Sequence, residues 1–285
     1  MRASPRRPAA GWASPWGRAW RGAYLGLCGL VFLFLVAPLV AIVPLSFNAE
    51  PFFTFTPGML RLDPAAFSLR WYRDILANEQ WLHAIANSLV IGLAATLLAT
   101  VLGTLAAVGL ARPGLPFRRV ILTILISPMI VPIIIVAAGM YFFYSRVGLA
   151  QTMTGIVIAH AVLGTPFVVI TVTATMSHFD QGLVRAAASL GARPLTGFLR
   201  VVLPLILPGV LSGALFAFAT SFDEVVVVQF LAAYDQRTIP MQMWAGIREQ
   251  ISPTILAVAT LLILVSGLIL AATELLRGRA RGARD

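Results

Sequence analysis

The sequence predicts an all-α membrane protein that crosses a bilayer six times, with both termini in the cytoplasm. Three observations lead there. Hydrophobic residues fill 59% of the 285 positions and charged residues only 11%, where a soluble domain carries about a quarter charged. Too few polar groups remain to cover a water-facing body. Apolar runs of about 20 residues recur, each long enough to cross a ~30 Å hydrocarbon layer as a helix, and the alternation of a membrane β-barrel is absent. The arginines are divided unevenly between alternate connecting segments, and that asymmetry orients the chain.

The expected spans are, in order, 24–47, 82–111, 120–143, 151–176, 203–231 and 251–276. Residues 1–22 form a basic, Pro-rich leader that is expected to be disordered and cytoplasmic. The apolar run after it is too long for the h-region of a cleaved signal, and no small-x-small site ends it. Residues 277–285 form a basic cytoplasmic tail. Prolines 38, 44, 128, 132, 166 and 208 lie within or beside spans. Each removes a backbone donor that neighbouring helices must compensate in lipid, which predicts bent helices around a cavity.

With the N-terminus inside, the cytoplasmic segments hold 15 arginines and the outer segments 6, namely Arg61, Arg70, Arg73, Arg146, Arg237 and Arg248. The outer arginines are balanced by Glu50, Asp63, Asp74, Glu79, Asp235 and Glu249. The net charge of +10 follows from this orientation signal; the basic residues form no single stripe of the kind that binds nucleic acid. The long first outer loop, 48–81, carries Trp71, Tyr72 and Trp81, which read as an interfacial aromatic belt or as a docking surface.

Every basic residue is arginine. Without lysine there is no GxxxxGK[ST] phosphate loop and no kinase-type catalytic lysine, so any ATP must be bound by another chain. The single Cys28 excludes an intrachain disulfide and a cysteine-based metal site. His83, His160 and His178 show no ligand spacing, and no metal site or bound cofactor is expected. An intramembrane enzyme would need a Ser/His, Asp/Asp or metal constellation at membrane depth; His160 and Ser127 are available, but no motif joins them.

The segment 177–203, between spans four and five, reads as a self-contained cytoplasmic insert. Asp180 can cap a short helix over 181–190. Its alanines 186, 187 and 188 favour helix and present a smooth face. Gly191 is a natural left-handed helix stop, and Pro194 suits the first turn of a second helix. Phe198, Val201 and Val202 follow, and Leu203-Pro204 marks the return to the membrane. Such a knob fits a groove on a partner, or equally a hairpin lying on lipid headgroups.

Asp223-Glu224 sits in the apolar stretch "FAFATSFDEVVVVQF". A charge at the bilayer centre costs ~2.5–3.5 kcal/mol on insertion scales and each Val or Leu returns ~0.3–0.6 kcal/mol. The two carboxylates therefore face a cavity, a partner helix or a bend. One reading has Asp223 or Glu224 meeting a cationic amine in a translocation path whose candidate lining also includes Ser221, Phe222 and Trp244. The other is a buried helix break satisfied by backbone donors. The outer stretch 237–253 holds an apolar cluster of Met241, Met243 and Trp244, suited to a gate, a protein contact or an interfacial anchor.

The insert resembles the "EAA" cytoplasmic loop of ABC-importer permeases. Ala186, Ala187, Gly191, Leu203 and Pro204 match that pattern, with Pro208 beyond; Arg185 stands where the family usually has Glu. The likeness runs from about Asn87 onward, and "SFDEVVVVQFLAAYDQRTIPMQMWAGIREQISPTILAVATLLIL" is similar to the second permease subunit of spermidine/putrescine-type importers. The resemblance implies a type I (MetI-like) permease domain over 23–276 in a bacterial inner membrane. Its loop would be a coupling helix seated in an ATPase subunit, with contacts from Arg185, Ala186, Ala187, Gly191, Ala192, Phe198, Leu203 and Pro204. It further implies two ATP-binding subunits that hold ATP and magnesium, a second permease chain and a periplasmic solute-binding protein. Arg185 removes any contact that relied on a carboxylate and leaves the shape argument standing. The solute implied is a polyamine or related organic cation; the competing readings are an importer permease for another small solute, and a stand-alone channel or secondary carrier, which requires neither ATP nor partners.

Overall fold

The computed structural model describes residues 15–282 except Pro113, His178, Gln250 and Ile251. The described residues contain the helices α1 (Pro15–Leu45), α2 (Pro57–Leu60), α3 (Arg70–Ala77), α4 (Glu79–Leu110), α5 (Arg118–Ile130), α6 (Ile133–Val147), α7 (Met153–Met176), α8 (Gln181–Ser189), α9 (Pro194–Gly197), α10 (Leu203–Phe222), α11 (Val226–Leu231), α12 (Ile239–Glu249) and α13 (Thr254–Gly282). Among them there is no strand, only an isolated bridge between Asn48 and Phe67. The helices fall into two compact units, one from 1–75 with 251–285 and one from 76–250.

In the first unit, α1 begins at Pro15, inside the segment expected to be a disordered leader through 22. Proline is favoured at a helix start, and the Trp- and Ala-bearing stretch after it continues the helix; residues 1–14 lie outside the described residues. At the other terminus α13 runs to Gly282, so the expected tail begins as helix, with 283–285 outside the described residues. The loop after α1 is organised by buried Asn48, whose Nδ2 donates to the carbonyls of Phe52 and Thr54, each at 3.0 Å. Trp71 Nε1 donates to the Asn48 carbonyl at 2.7 Å, and Tyr72 Oη lies 2.6 Å from Ser46 Oγ. These aromatics hold the loop together, with their polar tips finding partners inside it. Trp81, on α4 in the second unit, is buried.

The second unit is built on α4, α7 and α10. Each presents a row of residues four apart that shares one helix face: Ala95, Ala99, Gly103 and Ala107 on α4; His160, Gly164, Val168, Val172 and Met176 on α7; Gly209, Gly213, Ala217 and Ser221 on α10, all of them buried. Small residues let backbones approach closely where lipid supplies no hydrophobic drive between helices. A Cβ at Gly103 would lie 2.7 Å from Val168 Cβ, and one at Gly164 3.0 Å from Ala217 Cβ. A second apolar cluster joins Ile91, Ala137, Tyr144, Ile156, Leu163, Val227 and Leu231.

Among the described residues four stretches are long and apolar enough to cross a membrane: 16–45 in α1, all of α4 and α7, and Pro194–Phe222 through α10. The third expected span is broken. α5 and α6 meet at an angle of 103°, as one broken span or a re-entrant loop. Val131 between them is extended, at φ −70° and ψ 136°, as expected of a residue preceding proline, here Pro132. The fifth expected span, 203–231, is also interrupted: α10 stops at Phe222 and α11 starts at Val226. The sixth falls on α13, where Thr254–Leu268 is an apolar helical stretch of 15 residues.

Candidate functional site

Two places in the second unit carry the residues singled out by sequence. The first is the insert. Asp180 accepts a hydrogen bond from Gly182 N at 2.7 Å and caps α8. The helix ends in a Schellman motif: Ala192 N donates to Ala187 O at 3.0 Å and Gly191 N to Ala188 O at 2.9 Å. Gly191 has φ +82°, a conformation that costs an L-residue roughly 1–2 kcal/mol. Pro194 opens α9, and a π-helical turn, Phe198–Val202, links α9 to α10. Pro204 has no N–H for the Arg200 carbonyl, so the ladder shifts there: Leu203 N donates to Phe198 O. Buried Val202 and half-buried Phe198 and Leu203 anchor the insert to the α4–α7–α10 core. Arg185, Ala186, Gly191 and Pro204 are exposed; Ala187 and Ala192 are half-buried. Leu190, at the tip, is 89% exposed.

The second place is the break after α10. Glu224 is buried, and its Oε1 accepts from Val227 N at 2.8 Å, which satisfies a free donor at the start of α11. The adjacent Asp223 is exposed. The two carboxylates thus differ: Glu224 holds the helix break, and Asp223 is exposed with no side-chain hydrogen bond among the described residues. Phe222 stacks on Phe218 with centroids 5.6 Å apart. Ser221 is buried and its Oγ lies 2.8 Å from His160 Nδ1 on α7, which pins the last turn of α10. Trp244 sits on α12, exposed, with the Arg248 guanidinium 6.0 Å from its ring centroid.

The His160–Ser221 pair was not legible in the sequence, where His160 had only Ser127 as a candidate neighbour. Ser127 Oγ instead donates to the Ile124 carbonyl of its own helix at 2.8 Å. Only the positions of His160 and Ser221 on the small-residue faces of α7 and α10 could have linked them. A hydrogen-bonded Ser/His couple resembles a nucleophile with its base. Here both residues are buried, and His160 Nε2 has no hydrogen-bond partner among the described residues, so no third group orients the ring. The couple is a helix-to-helix tie.

A helical membrane body with a capped knob at one end of its core and a charged helix break is the build of a transport subunit. The chain belongs to the family described as binding-protein-dependent transport system inner membrane component, which it matches over residues 99–282. It is 31% identical over 248 residues to the putrescine transport system permease protein PotI of Escherichia coli, covering 84% of this chain and 85% of that one. It is 29% identical over 237 residues to the spermidine/putrescine transport system permease protein PotC of Haemophilus influenzae, covering 83% and 89%. Among solved structures it is similar to a chain of a bacterial ABC transporter that imports the acidic polysaccharide alginate. That match has a TM-score of 0.69 at 18% identity and covers 95% of this chain and 99% of the other; it supports the fold. The protein is therefore a transport component, not an enzyme.

Proposed function

We propose that this chain is one of two permease subunits of an ATP-driven importer that carries a polyamine, spermidine or putrescine, or a related organic cation, into the bacterial cytoplasm. It lies in the inner membrane with both termini and the 177–203 loop inside. Two ATP-binding subunits, which hold ATP and magnesium, drive alternating access by pushing that loop. A second related permease completes the path, and a periplasmic solute-binding protein delivers the solute. The polyamine permeases PotC and PotI support the substrate class, and the absence of lysine supports placing ATP on partner chains.

The observation that carries the reading is the division between the two carboxylates. Glu224 is spent on Val227 N, while Asp223 is exposed at the end of α10. Asp223 is the group that meets the ammonium of the solute. The test is uptake of labelled putrescine and spermidine by the assembled importer. A hydrogen bond to a charged group is worth ~1.5–3 kcal/mol, so Asp223→Asn should weaken uptake about 10- to 150-fold, and Asp223→Glu should retain most of it. Unchanged uptake in an assembled Asp223→Asn importer overturns the role of Asp223. A cognate binding protein that holds no polyamine overturns the substrate.

A further inference from the structure

At the insert lies a half-open cavity of about 570 Å³, lined by residues of α4, the end of α7, α8, α9 and the π-helical turn. Its floor is apolar, with Leu105, Val108, Met176 and Phe198 among the lining residues. Among the described residues that line it, Arg112 and Arg193 carry the only charges. Both are exposed. A cavity with an apolar floor and two cationic groups, with no carboxylate among them, is complementary to an anion attached to a hydrocarbon tail.

The helix that forms one wall extends this chemistry. On α4, Leu89, Leu93, Leu97, Val101 and Leu105 recur every fourth residue and are all exposed. They form one ridge, about 24 Å long at the helical rise, and its last member, Leu105, also lines the cavity. A tail lying on this ridge brings its headgroup to Arg112 and Arg193.

We infer that this cavity is a binding site for an anionic phospholipid, with its phosphate between Arg112 and Arg193 and an acyl chain running along the α4 ridge. The bound lipid wedges α8 and α9 against α4 and α7 and so sets the posture of the knob. This assignment is independent of the transported solute.

The full-length protein is reconstituted in nanodiscs of equal phosphatidylglycerol and phosphatidylcholine, extracted, and read by native mass spectrometry for retained lipid. Two arginines at a membrane surface predict retention of phosphatidylglycerol over phosphatidylcholine by about 30-fold. Arg112→Gln/Arg193→Gln should bring the ratio near unity, while Arg112→Lys/Arg193→Lys preserves most of it. Val108→Trp, which fills the floor and keeps both arginines, should lower retention of both lipids. If the glutamine variant does not fold, the lysine and Val108→Trp variants against wild type decide. Equal retention of both lipids by wild type, or an unchanged ratio in the glutamine variant, overturns the assignment. So does a photocrosslinker at Leu105 that captures an ATP-binding or second permease subunit, and not lipid, in the assembled importer.

Discussion

Replacing Gly103 with alanine tests what holds the three-helix core together. The added Cβ would lie 2.7 Å from Val168 Cβ and 2.9 Å from Val168 Cγ1. Carbon atoms pack best at ~3.5–4.0 Å, so α4 and α7 must part by roughly 0.8 Å. Overpacking of this kind costs ~1–3 kcal/mol, and alanine recovers up to ~1 kcal/mol of helix propensity. The expected net loss is ~1–2 kcal/mol. Gly213→Ala strikes the same valine differently: its Cβ would lie 2.8 Å from Val168 Cα and 2.5 Å from Thr171 Oγ1. A Val168→Gly background removes the atoms that oppose Gly103 but leaves the Cα that opposes Gly213. The double-mutant cycle should therefore show rescue of ~1–2 kcal/mol for Gly103→Ala and little for Gly213→Ala. The assay is reversible unfolding of the purified chain in mixed micelles as denaturing detergent increases, followed by far-UV circular dichroism. Equal rescue at both glycines, or an unaffected Gly103→Ala single variant, refutes the assigned contacts.

Three more outcomes are expected. Glu224→Gln keeps an oxygen for Val227 N and should unfold nearly as wild type does, while Glu224→Ala loses the cap and about 1 kcal/mol; identical stability of the two variants in the same micelle titration refutes the capping role. Ser221→Ala leaves His160 Nδ1 buried without a partner and should cost ~1–3 kcal/mol, with much of the loss restored when His160→Phe is added; a neutral Ser221→Ala denies the tie. Gly191→Val forces a branched side chain to φ +82° and should abolish copurification with an ATP-binding subunit. Gly191→Asn, which tolerates the left-handed region, should keep it, and equal copurification by both contradicts the need for that turn.

The insert was legible residue by residue because its rules are local. Asp180 as cap, Gly191 as left-handed stop and Pro194 as helix opener each act through backbone groups within a few positions, and all three occupy those roles. The acidic pair was legible only as a contradiction, since two carboxylates in an apolar run must be satisfied somehow. The interruption of α10 and α11 answers it. Sequence placed Asp223 and Glu224 side by side as equivalent candidates; burial and the Val227 hydrogen bond separated them. The breaks fall where the sequence offered Pro132 and the Asp223-Glu224 pair, but hydropathy sums over a window and gave neither the 103° angle between α5 and α6 nor the helix ends at Phe222 and Val226.

From its amino acids alone this protein was committed to a membrane and to helices, because solvation and backbone satisfaction in lipid depend on composition and run length. Tertiary packing alone decided which small residues became contacts, that His160 would meet Ser221 sixty-one residues away, and that Arg112 and Arg193 would line one largely apolar cavity. Those outcomes depend on how far apart helix faces sit and how they are rotated. Helical spacing proposes such faces, and only the packed interior selects among them.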